Sequence, residues 1–537
     1  MSKILFIIKV FLSISSGILL VLAFPPFNLS GLAFIGLVPL LVVLKLEEKL
    51  LKNFIFSFIT GIIFLGGLLY WIAGIKLYQV PPWMLIIGWM LIATTFGCYF
   101  GVFGLIIKFL DVKMGIVKKI IIVPIFWVAL EFIRSIFPLG GFPWGILGYS
   151  QYQNLMLIQI ADITGVFGIS FLILLVNSCI TVTLFQIFQK PAKWSLTQSP
   201  MKRQSFPCYF RIPFALHLCL LTLVGCYIYG FMVMREKLPL PDLKIAIIQS
   251  NIDTKESWDW AITQEQILQG LIHLTQTTKS QQPSLTIWTE TAVRDSPLLF
   301  DSLRDKLSSL AKDMRTNLLI GAPHIEFKNT KTQYYNSAFL FSDAGEIIGR
   351  YDKIHLVPIA ERLPLEDIFP IVRNLFPQAG YYLPGKELTV FQSPVRFNVL
   401  ICFEGIFGDL TRRFVQTGSH GSGAQFIVNI SNDAWFKTTA SYYQHFSMDI
   451  FRAIENKTYF LRAGNTGISA VITPYGNIKE ILDIGKEGVI ISKISPMNKN
   501  TFYTRYGDVF ACLCLIISVW LWILGIAKNT ISRMPLR

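Results

Sequence analysis

Val399-Leu400-Ile401-Cys402-Phe403-Glu404 is the stretch on which the reading of this chain turns. An apolar run of strand length ends on a cysteine, and a carboxylate follows two residues later. Such a run reads as a buried strand that delivers its last side chain to a rim. Cys402 is one of eight cysteines, and the other seven (Cys98, Cys179, Cys208, Cys219, Cys226, Cys512, Cys514) fall in or beside long apolar segments. It stands alone in the polar part of the chain, as a candidate nucleophile.

Working outward from Cys402, composition divides the 537 residues into three parts. Residues 1–234 are dominated by Leu, Ile, Val, Phe and Gly, residues 235–506 resemble an ordinary soluble domain, and residues 507–537 turn apolar again. A membrane span needs about 20 mostly apolar residues. Eight stretches are predicted to cross: 4–24, 31–46, 54–73, 83–108, 118–137, 163–188, 214–234 and 508–527. Lys3 ahead of an apolar run resembles a signal peptide. Phe24-Pro25-Pro26-Phe27 stands where a small-residue cleavage site is needed, so the run is read as a span.

Charge orients the spans. Lys45, Lys49 and Lys52, then Lys113, Lys118 and Lys119, then Lys190, Lys193, Lys202, Arg203 and Arg211 cluster in alternate connections, and the tail adds Lys528, Arg533 and Arg537. The intervening short connections hold Lys76 and Arg134. The positive-inside rule then puts both termini in the cytoplasm and residues 235–506 on the outer side. The net charge of +15 follows the same division. Residues 241–506 carry 27 basic against 26 acidic side chains, and the remainder carries 21 against 7. The basic excess belongs to membrane topology, which removes the main support for a nucleic-acid partner. Outside the cytoplasm paired cysteines are usually oxidised, so an unpaired Cys402 reads as a free thiol.

Within the outer part, strands are expected at 243–249, 285–290, 317–321, 334–341, 426–431 and 467–472, with helices near 262–280, 299–315 and 443–460. This alternation argues an α/β domain. The stretch 362–386, with Phe369, Pro370, Leu375, Phe376, Pro377, Tyr381 and Tyr382, is long for a loop. It reads either as packing on the domain or as an arm dipping into the bilayer surface.

Three ionisable residues follow strand-like runs in the order Glu290, Lys353, Cys402. A thiol needs a base to become a good nucleophile, and Glu290 offers one. Lys353 offers a fixed positive charge for a thiolate or an oxyanion. Glu361 and Glu404 are placed to orient these groups or to raise the base's pKa. His355 is read as structural. Six histidines with no HxxxH or CxxC spacing give metal catalysis no foothold, and no phosphate-binding glycine motif occurs.

Trp288-Thr289-Glu290-Thr291-Ala292, Tyr351-Asp352-Lys353 and Cys402-Phe403-Glu404 resemble the Glu-Lys-Cys triad of the carbon–nitrogen hydrolase (nitrilase) superfamily. Gly141-Phe142-Pro143-Trp144, Gly148-Tyr149-Ser150-Gln151, Lys353-Ile354-His355-Leu356-Val357-Pro358, Ser431-Asn432-Asp433-Ala434-Trp435-Phe436, and Arg462 with Asn465-Thr466-Gly467 resemble the apolipoprotein N-acyltransferase family. The resemblance implies a four-layer αββα nitrilase-like sandwich inserted into an eight-helix transmembrane bundle. It implies residues 1–234 as a membrane domain of seven spans, 235–506 as a periplasmic catalytic domain, and 507–537 as the eighth span and a cytoplasmic tail, in a Gram-negative inner membrane.

The same resemblance implies that Cys402 takes an acyl chain from the sn-1 ester of a phospholipid, phosphatidylethanolamine for preference, as a thioester. The amine of a diacylglyceryl-cysteine apolipoprotein then receives it. Glu290 is implied as base and Lys353 as oxyanion and thiolate stabiliser. Glu361, Glu404, Asn336 and Trp258 are implied in support, with Trp260 an alternative to Trp258. A monomer without cofactor is expected. Phe403 stands where the family often has Tyr, and Ile359-Ala360 where it commonly has Phe-Gly. A membrane-tethered amidase that passes its acyl group to water is the nearest rival reading. A transporter with an external binding domain is the other, against which intramembrane ionisable residues are sparse.

Overall fold

Among the described residues, twelve strands in two six-stranded sheets build the polar part of the chain. The structure, a computed structural model, describes residues 2–75, 81–111, 116–138, 140–188, 211–252, 263–328, 331–364, 366–375, 380–416, 423–436 and 439–531. The strands in chain order are β1 Leu243–Gln249, β2 Leu285–Ile287, β3 Asn317–Lys328, β4 Lys331–Phe341, β5 Ile347–Asp352, β6 Val390–Phe391, β7 Phe397–Ile401, β8 Phe426–Ser431, β9 Tyr459–Gly464, β10 Ser469–Ile472, β11 Ile478–Leu482 and β12 Gly488–Ile494. One sheet runs β12-β1-β2-β3-β4-β5 and the other β11-β10-β9-β8-β7-β6.

Alternation along the strands sets the layers. Ile245, Ile247, Leu319 and Leu340 share a core cluster with Val399, Ile401, Val428 and Leu461 of the other sheet. The opposite face of the first sheet, through Leu318, Ile320, Phe339 and Phe341, packs on Leu268, Leu271, Leu307 and Leu310 of helices Gln264–Thr277 and Asp301–Met314. Helices Gly408–Gln416 and Ala440–Asn456 join the core of the second sheet through Phe414, Phe451 and Ile454. Period-two apolar strands between amphipathic helices give the four-layer αββα sandwich.

Several expected elements shift. The strand expected to reach Glu290 stops at Ile287, and the one expected to stop at Gly321 runs to Lys328 as a long hairpin with β4. The helix expected over 443–460 ends at Asn456, because Lys457 turns left-handed (φ 47°) and β9 begins two residues later.

In the apolar part, six helices among the described residues are long and apolar enough to cross a membrane: Lys3–Leu22, Leu50–Leu68, Pro82–Leu110, Val166–Ile187, Leu216–Met234 and Val509–Ile526. The stretch expected as the second span divides into three short helical pieces, Ser30–Leu32, Ala33–Gly36 and Val38–Leu46, the last with a proline in its first turn. The fifth lies in Ile116–Ile136, which carries Lys118, Lys119, Glu131 and Arg134. The loop 191–210 and Lys76 fall outside the described residues.

One side chain ties the two parts together. The Gln444 amide donates to the carbonyls of Pro25 (3.2 Å) and Leu68 (3.1 Å). Its oxygen accepts from the indoles of Trp71 (3.1 Å) and Trp144 (2.8 Å). Arg134 in turn donates to the carbonyls of Phe142 and Trp144, which fixes that motif under the sandwich. Arg452 donates to the Tyr149 hydroxyl at 2.8 Å. Both membrane-side motifs therefore serve as a dock for helix Ala440–Asn456.

Candidate active site

Cys402 directly follows β7 and adopts the left-handed region (φ 51°), an uncommon conformation for a residue with a side chain. Such a turn separates the sulfur from the strand direction and aims it at the sheet rim. The thiol is 8 % exposed. Burial, with the negative charge of Glu290, pushes it well above the ordinary thiol value, and Lys353 opposes them.

Glu290 sits in the turn after β2, followed by Thr291 at φ 48°. Gly321 of β3 lies directly beneath: a Cβ there would stand 2.7 Å from the Glu290 Cα, so only glycine lets the turn approach. One Glu290 oxygen accepts from Asn336 Nδ2 (2.8 Å) and Lys353 Nζ (3.3 Å), and the other from the backbone N–H of Asn432 (2.8 Å). Glu290 is thus held from both sheets.

Lys353 follows β5 and is 1 % exposed. Its ammonium donates to Glu361 at 2.9 Å as well as to Glu290. Burial works to lower its pKa, but Glu290 and Glu361 outweigh burial and carry it above the ordinary lysine value. The charge therefore persists through any physiological pH. Asn336 on β4 bridges the carboxylates, donating to Glu361 at 2.7 Å and to Glu290. The second Glu361 oxygen accepts from Val357 N–H at 2.7 Å.

Glu404 belongs to a different task. Its oxygens accept from the Tyr351 hydroxyl (2.8 Å) and from the backbone of Ile354 (2.7 Å), His355 (3.0 Å) and Ile401 (2.8 Å). It staples the segment that carries Lys353 to the segment that carries Cys402, and burial pushes its carboxyl up to about 7. His355 stacks on Phe407 with ring centroids 4.3 Å apart, a packing role. Trp258 and Trp260 lie outside the described residues, as do Phe376 and Pro377 of the 362–386 arm. The arm's returning segment hydrogen-bonds to the backbone of the site, Tyr382 N–H to the Glu361 carbonyl and Gly385 N–H to the Lys353 carbonyl, while Phe369 and Tyr381 remain exposed.

The structure thus gathers Glu290, Lys353, Cys402, Glu361 and Asn336 into one buried cluster, with Glu404 bracing it from behind. The family described as apolipoprotein N-acyltransferase N-terminal domain matches residues 16–179, and carbon-nitrogen hydrolase matches residues 244–498. An apolipoprotein N-acyltransferase of Geobacter metallireducens is 36% identical over 517 residues, covering 94% of this chain and 92% of that protein. The chain belongs to the apolipoprotein N-acyltransferase family. A second member, from Chlorobaculum tepidum, is 28% identical and covers 95% of both chains. Among solved structures, an amidase from Nesterenkonia sp. aligns at 16% identity with TM-score 0.36, over 49% of this chain and 93% of that one. As a member of this family the chain is a membrane-embedded acyltransferase.

Sequence reasoning passed over one part of the site. Ser431, Asp433 and Arg462 lay inside quoted motifs without a role. Here Ser431 donates to Asp433 (2.8 Å), and Arg462 grips Asp433 and Asp449 (2.5 Å each) directly behind the cysteine. No local pattern gave them away: it is the parallel register of β7 and β8, with Ile401 opposite Ile430, that puts Cys402 and Ser431 one step beyond the last paired residues.

Proposed function

We propose that this chain transfers a fatty acyl group from a phospholipid to the N-terminal amine of an apolipoprotein. One observation carries the reading: a buried cysteine at a strand end lies in the field of a carboxylate and an ammonium that are themselves hydrogen-bonded. Glu290 takes the thiol proton, and the Cys402 sulfur attacks the sn-1 ester carbonyl. Lys353 stabilises the oxyanion, the lysophospholipid alkoxide leaves with the proton from Glu290, and a thioester remains. The α-amine of a diacylglyceryl-cysteine then attacks the thioester, passes its proton to Glu290, and releases an amide and the thiol.

The working arrangement is a monomer with eight spans. Residues 1–234 supply seven of them and residues 507–537 the eighth, both termini are cytoplasmic, and residues 235–506 lie in the periplasm. Phosphatidylethanolamine is the preferred donor, at the outer leaflet of the inner membrane. The basic loops and the Gln444 junction support this reading, since they hold the site close to lipid.

The test is intact-mass analysis of purified protein given phospholipid alone. An adduct of one acyl chain on the peptide containing Cys402 is expected, discharged by a diacylglyceryl-cysteine peptide. Steady release of free fatty acid with no adduct makes the chain a lipid hydrolase instead.

A further inference from the structure

An open cavity of about 490 Å³ lies between the sandwich and the apolar part of the chain. Helix Ala440–Asn456 gives it one wall, Tyr443, Phe446 and Ile450, which share a helix face. His445 and Asp449, on another face, turn instead to Arg462. The second wall is β11 and the residue pair after it, through Ile478, Ile481 and Ile484, and the floor is Tyr152 and Leu155. The back is closed. Gln159 Nε2 donates to the Tyr475 carbonyl at 3.0 Å, and a Cβ on Gly476 (φ 82°) would stand 2.7 Å from Ile454 and 3.1 Å from Leu155.

The cavity stands at the membrane boundary. Met156, next to the floor, presses its carbonyl against Gly230 with no room for a Cβ, and span Leu216–Met234 ends one helical turn later, where the chain leaves for β1. Exposed apolar side chains occur at both levels: Phe231 and Met232 on the span, Met156 beside the floor, and Tyr443, Ile478 and Ile481 around the mouth. Asp483, the one charged side chain among the described lining residues, is paired with Lys486 at 3.0 Å. The lining therefore offers hydrocarbon and no free charge.

We propose that this cavity binds one acyl chain of a bilayer phospholipid, held as a resident ligand that seats the sandwich on the leaflet. Exposed apolar surface beside a membrane is best covered by hydrocarbon. A lipid is already at that depth, and only one of its chains has to bend out of the leaflet. The volume falls in the usual range of ligand sites, about 300–1,000 Å³. Tyr152 and Tyr443 place rings with a polar tip where a membrane interface favours them. None of Glu290, Lys353, Glu361 and Cys402 lines the cavity, so a chain bound here is not presented to the thiol. The inference therefore stands apart from the acyl-transfer reading.

The test uses the full-length protein in phosphatidylcholine nanodiscs that contain a phospholipid with a diazirine near the end of one acyl chain. After illumination the label is mapped by peptide mass. It is expected on Phe446 or Ile450, both nearly fully buried and reached only through the cavity, as well as on the lipid-facing spans. Ile481→Asp, at the exposed mouth, is expected to lower the label on those two residues about tenfold, because a carboxylate beside hydrocarbon is costly. The label on span Leu216–Met234 should stay unchanged. Should Ile481→Asp not fold, Ile484→Trp, which narrows the cavity with an apolar group, makes the same comparison. Cys402→Ala is expected to label as the wild type does, and loss of the cavity label in that variant would make the chain a substrate and overturn the resident-ligand assignment. Label confined to the spans and the mouth overturns the proposal, as does equal label with and without Ile481→Asp. A doubled mass by light scattering, with the cavity unlabelled, would give the mouth to a second copy of the chain and overturn it as well.

Discussion

Two buried clusters in this molecule have the same formal composition, one cation between two carboxylates, and opposite character. Arg462 offers each carboxylate its own nitrogen, Asp449 on Nη1 and Asp433 on Nη2, in a fork that leaves little freedom. Lys353 is a compact charge that uses two of its three protons, on Glu290 and Glu361, and both accepting oxygens are shared with Asn336. The planar guanidinium suits a place where geometry must not change. A rotatable ammonium suits a place where negative charge moves from carboxylate to sulfur to oxyanion. On the proposed mechanism, the two buried cations divide into a brace and a working donor.

Removing the brace is the largest expected effect. Arg462→Met leaves Asp433 and Asp449 buried without a cation, which costs about 3–5 kcal/mol. The apparent Tm in detergent should collapse, and lipid binding should go with it. A variant that melts near the wild-type temperature makes the Arg462 cluster dispensable and breaks the contrast. Removing the working donor is expected to act on rate instead. Lys353→Met should lower acyl-enzyme formation about 10²–10³-fold, as expected for loss of one oxyanion-type donor, with a smaller fall in Tm because Glu290 and Glu361 keep their Asn336, Asn432 and Val357 donors. Lys353→Arg should not rescue, since a fork cannot follow moving charge. Retention of more than a tenth of the activity in Lys353→Arg would contradict the distinction.

A third test separates bracing carboxylates by pH. Burial pushes Glu404 and Glu455 each up to about 7 from an ordinary value of 4.5. The folded state then binds protons that the unfolded chain has already released, so stability falls as pH rises between about 4.5 and 7. The apparent Tm should be higher near pH 5 than near pH 7.5. Glu404→Gln should flatten that slope while weakening the bond to Ile401 N–H, the donor to its second oxygen. A flat wild-type profile across this window would mean that neither carboxyl is shifted as described.

How far these features could be read from the chain differs by element. β7 was legible because Val399-Leu400-Ile401 is buried on both faces and needs no partner to look like a strand. Glu290 and Lys353 were legible because each follows an apolar run that a turn must end. Edge strands were not: β11, Ile478–Leu482, is exposed along most of its length and carries no alternation. Helix Ala440–Asn456 is buried nearly all round, with Gln444, His445, Asp449, Arg452 and Glu455 inside, so its polar residues could not be read as a solvent face. Their partners Trp71, Trp144, Tyr149 and Arg462 are brought there by chain crossings that no local pattern encodes. The stretch 31–46 was legible as apolar but not as broken, since composition measures apolarity and not the breaks between Gly36 and Pro39 that divide its helix.

The smallest expected effect probes whether the working cluster stores strain that the brace does not. Ile359 occupies the left-handed region (φ 69°), where a β-branched side chain is an outlier. Its backbone closes a tight loop with Arg362 at 2.8 Å, and that loop presents Glu361 to Lys353. Ile359→Gly should relieve about 1–2 kcal/mol of steric cost and lose about 0.5–1 kcal/mol to backbone freedom, a net stabilisation of at most about 1.5 kcal/mol. If the strained turn is what holds Glu361 in place, acyl-enzyme formation should slow severalfold while Tm rises slightly, because strain at a functional loop trades stability for position. A variant that gains both stability and rate would show that Glu361 is positioned by Asn336 and Val357 alone, and that the loop's conformation is incidental to the chemistry.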